Sequence, residues 1–166
     1  MTYAWHDIGG RTIELCDECG FDARDFTCNQ DEQQRLDAAY ADLERLRDHP
    51  DFDRRPAPET WSAREYVDHC VEVAAVILGW VGDLTDGGAR KELRDLAACR
   101  RAVALSVPPL TEDKRAAVLH GEYQQPVTVE WLLCHLLHDA EHHVLDLRRG
   151  YASLAMANHP EIPFRG

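Results

Sequence analysis

Apolar residues recur at helical spacing in four long segments of the chain. In the first segment Leu36, Tyr40, Leu43 and Leu46 fall on one stripe of a charged amphipathic pattern. Segments of this kind bury one face against each other in helical domains. The pattern predicts helices from residue 29 to just before Pro50, from Ser62 to about Leu84, from about Lys91 to Ser106 and from about Thr128 to Ala155.

Local signals mark where these helices begin. The segment Thr27–Gln30 and the pair Ser62 and Glu65 both fit capping boxes, and Trp61 can staple to Tyr66. Thr111 is predicted to cap a short turn. No alternating segment is long enough to predict a strand. The sequence therefore predicts an all-α four-helix bundle over residues 29–157, preceded by an irregular cysteine-containing leader at 1–28 and followed by a tail at 158–166.

Composition and charge narrow the class of protein. A chain of 166 residues fits one domain. The 30 acidic and 18 basic residues give a net charge of −12, which repels phosphate and argues against nucleic-acid binding. No apolar run is long enough for a membrane span, and the N-terminal residues do not resemble a signal peptide. A cytoplasmic protein is expected.

Histidines on two of the predicted helices are the first candidates for metal ligands. His135, His138 and His142 share a stripe of the last helix, and His69 sits beside an apolar arc of the second. Imidazoles from two packed helices, with water in the remaining position, form an open site for zinc, nickel or iron.

The last helix leaves two alternatives open. A leucine arc lies opposite its histidine stripe, so either the helix is buried on two sides or the stripe faces solvent.

The string from His138 to His142 also matches the H-x-x-E-H signature of inverted zinc peptidases. Only 24 residues follow it, which leaves little room for the downstream ligand of such enzymes.

The cysteines carry a second candidate site. Cys16 and Cys19 form a C-x-x-C pair that could join Cys28 or His6 in a small structural zinc knuckle. A redox pair and ordinary buried thiols are the alternatives. Cys70 and Cys134 lie on predicted helices and are expected in the core.

Two of these segments resemble the DinB-like family. The segment W-S-A-R-E-Y-V-D-H that ends at His69 resembles the opening of that family's second helix, and His138 with His142 resembles its closing pair. The segment C-D-E-C-G-F starting at Cys16 is similar to a leader found in actinobacterial members. The resemblance implies a four-helix bundle with one divalent metal on His69, His138 and His142. It also implies a low-molecular-weight thiol, mycothiol or bacillithiol, used in S-transfer to an electrophilic small molecule or in maleylpyruvate isomerisation.

Two classes of function remain at this stage. The first is an enzyme, in which the metal activates a thiol cofactor or, for hydrolysis, a water molecule. The second is a non-catalytic metal-binding or interaction bundle, for which a homodimer formed through a helix face is one form. Thiol-dependent turnover of an electrophile separates the two.

Overall fold

Five α-helices make up most of the described chain. The structure, a computed structural model, describes residues 4–8, 11–25, 29–85 and 92–158. Its mainly helical content confirms the predicted helical class. The helices are α1 Asn29–Leu46, α2 Ala63–Leu84, α3 Leu96–Ser106, α4 Glu112–Arg115 and α5 Val129–Asn158.

The four longer helices pack on each other around one apolar core. Both α1 and α2 contact α5, and α3 contacts α1 and α2. Each helix contributes an apolar stripe, and burying such stripes is the main favourable term in folding. Fully buried members of the core include Leu36, Tyr40, Ile77, Leu96, Leu132 and Leu136.

The predicted start of α2 is confirmed. The Ser62 side chain accepts a hydrogen bond from the backbone N–H of Glu65, and the Glu65 carboxylate accepts from the backbone N–H of Ser62. The Trp61 and Tyr66 rings lie 5.3 Å apart in an edge-on contact. Thr111 caps α4 as expected. The other predicted capping box includes Thr27 and Cys28, which lie outside the described residues.

The third helix differs from the prediction at its start. It begins at Leu96 rather than near Lys91, because Asp95 adopts an extended backbone and its side chain accepts from the N–H of Ala98. Aspartate is a strong N-cap residue, and this local signal overrides the helical propensity of the residues before it. The predicted tail falls almost wholly outside the described residues.

The leader is not irregular. It forms a three-stranded antiparallel sheet of β1 Ala4–Ile8, β2 Arg11–Cys16 and β3 Phe21–Asp22, in the order β1-β2-β3. The missed signal is the Gly9-Gly10 pair between two short β-prone segments, a combination typical of two-residue hairpins. A further short pair, β4 Val118–Leu119 and β5 Val127–Thr128, precedes α5.

A tight turn connects β2 to β3. The backbone N–H of Gly20 donates to the carbonyl of Cys16 at 2.9 Å, and Gly20 has a φ of +76°, which glycine adopts without steric cost. Both strands contact α5. The turn therefore holds the C-x-x-C pair near the last helix.

None of the helices in the described ranges is both long enough and apolar enough to cross a membrane.

Candidate functional site

The last helix is buried on two sides. Its leucine arc faces α1 and α2, while His138 and His142, on the other side, are also buried. Phe21 of β3 stacks on the His138 ring, with 4.6 Å between ring centroids. The first of the two sequence alternatives is therefore confirmed, because the N-terminal sheet covers the histidine stripe.

Four metal-ligating side chains meet where this sheet contacts α5. One donor atom from each of Cys16, Cys19, His138 and His142 lies within 4.8 Å of the others, and we call these residues the four-donor group. The thiols share the turn between β2 and β3, and the imidazoles are one helical turn apart on α5. A metal ion could be held at this point.

Burial and hydrogen bonds tune the two thiols in opposite directions. Burial opposes ionisation of Cys16, but hydrogen bonds from the Cys19 backbone and from His138 outweigh it and lower the pKa of the Cys16 thiol. Burial raises the pKa of the Cys19 thiol to about 12. Burial also lowers the pKa of His142, which favours the neutral imidazole that metals bind.

A second set of donors lies between α2 and α5. His69, Asp139 and His143 bring one donor atom each to within 4.8 Å of the others, and we call them the three-donor group. The Asp139 Oδ1 atom lies 3.3 Å from His69 Nε2 and 3.4 Å from His143 Nε2. Two nitrogen or oxygen ligands of a tetrahedral metal ion are about 3.4 Å apart, given metal–ligand distances near 2.1 Å.

Charge is balanced within the three-donor group. Burial opposes the charged forms, but hydrogen bonds to His143 and His69 outweigh it and hold the pKa of Asp139 far below its usual value. Burial likewise opposes the His143 imidazolium, yet hydrogen bonds with Asp139 and Asp146 raise its pKa to about 9. Protonated His143 thus supplies the positive charge beside Asp139 that a bound metal ion would otherwise supply.

The structure regroups the residues that the sequence analysis placed together. His138 and His142 lie with the two cysteines, whereas His69 lies with Asp139 and His143. The reason is rotational: successive helix residues differ by about 100°, and the face of α5 toward α2 begins one residue after His138. The single-ion assignment to His69, His138 and His142 stays a prediction that the geometry does not favour.

Sequence reasoning considered Asp139 only as a carboxylate that orients the histidines or as a solvated charge, and it did not select His143. The available signal was a second i, i+4 pair of ligating residues, offset by one position from the pair that was chosen. Cys28, considered as a possible ligand beside Cys16, lies outside the described residues.

Aromatic rings and a small pocket border the three-donor group. The Trp61 ring lies 5.4 Å from the His69 ring, and the Tyr66 ring lies 5.0 Å from that of His143. Trp61, Tyr66 and Asp146 also line a small pocket with room for about one water molecule. The His69 side chain is 27% exposed, against 3% for Asp139, so the group is reached from solvent on the His69 side.

The glutamate of the H-x-x-E-H string is engaged elsewhere. Glu141 accepts two hydrogen bonds from the Arg35 guanidinium of α1, at 2.8 and 2.6 Å. This bidentate pair directs the carboxylate toward α1, away from the role of a peptidase base.

No protein-family profile, characterised protein or solved structure matches this chain. The functional argument therefore depends on the geometry of the described side chains.

Proposed function

We propose that this chain is a metal-dependent protein built as a four-helix bundle, with one divalent ion on His69, Asp139 and His143. The proposed activity is transfer or isomerisation of an electrophilic small molecule with a low-molecular-weight thiol of the mycothiol or bacillithiol type. The observation that carries the metal site is the convergence of two imidazoles and one carboxylate, on two helices, at distances that suit a shared ion. The thiol chemistry follows from the resemblance to the DinB-like family in the sequence.

The donor set fits an ion with open coordination positions. Two histidines and one carboxylate are a common ligand set of catalytic zinc and non-haem iron, and they leave room for an exogenous ligand. A divalent ion in such a site acts as a Lewis acid, lowering the pKa of a thiol or water molecule that it binds. Zinc, nickel and iron all remain candidates for the ion.

The protein's own residues orient the donors and shape access to them. Asp146 lies 2.8 Å from His143 Nδ1, so it fixes the ring and leaves Nε2 directed at Asp139. Trp61 and Tyr66 cover one side of the two imidazoles with aromatic surface. We propose that the electrophile approaches along the exposed edge of His69, between the ring of Trp61 and solvent.

A non-catalytic metal-binding bundle is the second candidate. The pocket beside the three-donor group has room for only about one water molecule, far less than a small-molecule site needs. A protein that only binds a metal or a partner needs no larger cavity, whereas an enzyme of this shape must leave much of its substrate in solvent.

Thiol-dependent turnover tests the proposal. The full chain, loaded in turn with zinc, nickel and ferrous iron, is mixed with monochlorobimane and either mycothiol or bacillithiol. We expect thiol-dependent consumption of the electrophile that falls to the background rate in His143→Ala. The matched control is His120→Ala, which removes an exposed histidine between β4 and β5 that belongs to neither donor group and is expected to keep the wild-type rate.

Three other outcomes are informative. Equal rates for wild type and His143→Ala with every metal and both thiols would exclude the enzyme and favour the non-catalytic bundle. Turnover of an ester without any thiol would favour hydrolysis by metal-bound water. Failure of His143→Ala to lower the bound metal would reject the ligand assignment itself.

A further inference from the structure

The four-donor group has the composition of a structural zinc site. Cys16 and Cys19 form a C-x-x-C pair, and His138 and His142 form an H-x-x-x-H pair on a helix. Two thiolates and two imidazoles fill all four positions of tetrahedral zinc, in the closed arrangement typical of structural rather than catalytic sites. This donor set differs from that of the three-donor group in both number and chemistry.

The distances agree with a shared ion. The Cys16 Sγ atom lies 3.5 Å from His142 Nδ1. With zinc–sulfur near 2.3 Å and zinc–nitrogen near 2.05 Å, a tetrahedral site separates the two atoms by about 3.6 Å. The donor atoms of the other two residues lie within 4.8 Å of these atoms and of each other.

Carboxylates lie near one ring nitrogen of each histidine. Glu14, a fully buried residue of β2, places Oε1 3.4 Å from His138 Nδ1. On the other ring, His142 Nε2 lies 3.6 Å from Glu18 and 3.7 Å from Asp146. Histidine ligands of zinc usually have such an outer carboxylate, which fixes the ring and strengthens the donor nitrogen.

The position of the group indicates what an ion there would do. Its thiols come from a small sheet, and its imidazoles from the longest described helix, more than 100 residues later in the chain. A short sheet has little stability without another element to pack on. A cross-link through a metal would close this long loop and hold the sheet against α5.

We propose that Cys16, Cys19, His138 and His142 bind one zinc ion that fastens the N-terminal sheet to α5. This inference does not depend on the proposed function, since it concerns different ligands. It predicts one divalent ion with thiolate ligands, in addition to any ion that the three-donor group binds.

Cobalt substitution of the full chain is the first test. Tetrahedral cobalt with thiolate ligands shows a strong ligand-to-metal absorption in the near ultraviolet, which nitrogen and oxygen ligands do not give. We expect this absorption in wild type, its loss in Cys19→Ser, and its retention in Cys99→Ala, which removes a buried thiol of α3. Absence of the band in wild type would overturn the proposal.

Site-specific readout separates this proposal from the proposed function. In His69→Ala the thiolate band should remain while total bound metal falls from about two ions to about one. In Cys19→Ser the band should disappear while the other ion remains. A wild-type chain that shows the band but binds no ion that His69→Ala removes would reject only the three-donor site; a wild-type chain that binds the His69-dependent ion without the band would reject only the four-donor site.

A measurement on the unmodified protein covers the case in which a variant does not fold. Zinc-loaded wild type is treated with iodoacetamide before and after chelation, and tryptic peptides are analysed by mass spectrometry. Cleavage at Arg11 and Arg24 isolates Cys16 and Cys19 from every other cysteine. We expect both thiols to be alkylated only after chelation. Equal alkylation with and without zinc would overturn the proposal.

Discussion

Neighbouring residues of α5 face different partners. His138 and His142 turn toward the N-terminal sheet, whereas Asp139 and His143 turn toward α2. Each pair is one helical turn apart, so each can share an ion, and a rotation of about 100° separates the pairs. A shift of one residue along α5 therefore changes which partner a side chain of this helix faces.

Alanine substitutions at adjacent histidines test this arrangement. We expect His143→Ala to lose the ion of the three-donor group and to keep the cobalt–thiolate absorption of the four-donor group. His142→Ala should do the reverse, because its Nδ1 atom is the one beside Cys16. Metal content and absorption spectra of cobalt-loaded protein measure both effects, and identical losses in the two variants would contradict the assignment.

A buried ion pair away from both groups offers a second test at this scale. Glu32 of α1 is fully buried and accepts a hydrogen bond from Arg115 of α4 at 2.9 Å. Arg115→Met leaves the carboxylate without this partner, so we expect a loss of about 3 kcal/mol in the free energy of unfolding. Urea denaturation near neutral pH measures it, with exposed Arg94→Met as the control.

The free energy of unfolding of the same variant should change with pH in a definite direction. Burial already raises the pKa of Glu32, and removing Arg115 withdraws an interaction that opposes this rise. A carboxyl whose folded pKa exceeds its unfolded value is destabilising at high pH and less so once it is protonated. The deficit of Arg115→Met relative to wild type should therefore shrink as the pH falls below the folded pKa of Glu32. A deficit that grows on acidification would contradict this account.

At the scale of elements, the start of α2 positions His69. The capping box of Ser62 and Glu65 fixes the first turn, and His69 follows within two turns. We expect Ser62→Ala to cost about 1 kcal/mol of stability, in the range measured for N-cap residues. Thermal unfolding followed by circular dichroism measures the change, and Ser153→Ala near the end of α5 is the control because its hydroxyl donates to the Arg149 carbonyl of the same helix.

The capping glutamate also predicts an acid-range effect. Hydrogen bonds from Arg55 and from the Ser62 backbone lower the pKa of Glu65 to about 2. Its stabilising contribution is therefore complete above the unfolded pKa of about 4.5 and is lost as the pH falls toward 2. The stability difference between wild type and Glu65→Gln should shrink across this interval. A constant difference would show that the carboxylate charge is not involved.

Helices with local signals were predictable from the sequence, and the sheet was not. The start of α2 depends on a cap and a staple that neighbouring residues supply, so the sequence was sufficient. The strands β1 and β2 are short, and their stability depends on pairing and on contact with α5. The start of α3 was missed because Asp95 caps it more strongly than the preceding pattern suggested.

The candidate site shows the same limit at longer range. The sequence identified α2 and α5 as the helices that carry the histidines. It could not give the rotation of α5 about its axis, because that angle is set by packing with α1, α2 and the sheet together. The result was a ligand assignment one position away from the residues that meet His69.

For the molecule as a whole, metal binding should be a large part of stability. A ligand that binds only the folded chain stabilises it by about 2.7 kcal/mol when present at 100 times its dissociation constant. With two sites, the unfolding temperature should rise in two separate steps as the zinc concentration is increased. Scanning calorimetry with zinc and with chelator measures this, and Cys19→Ser combined with His69→Ala should show no shift.

Acid should remove this stabilisation. Imidazoles and thiols bind metal only when deprotonated, and the pKa of His143 is raised to about 9, so protons compete with the metal below about pH 9 and increasingly so toward about pH 5. The difference in midpoint between zinc-loaded and metal-free protein should therefore vanish in mild acid, while the metal-free midpoint changes less. A zinc effect that persists near pH 5 would contradict imidazole ligation.

The interleaving of two ligand pairs along α5 also limits how the gene can change. Inserting or deleting one codon between Val129 and His138 would rotate both pairs by about 100° relative to the start of α5. The pairs would then no longer face the N-terminal sheet and α2. Both the three-donor group and the four-donor group would be lost through one mutation, although no codon for a donor residue had changed. We therefore expect selection to tolerate substitutions on the exposed face of this helix and to remove changes in its length, leaving insertions to the connecting loops.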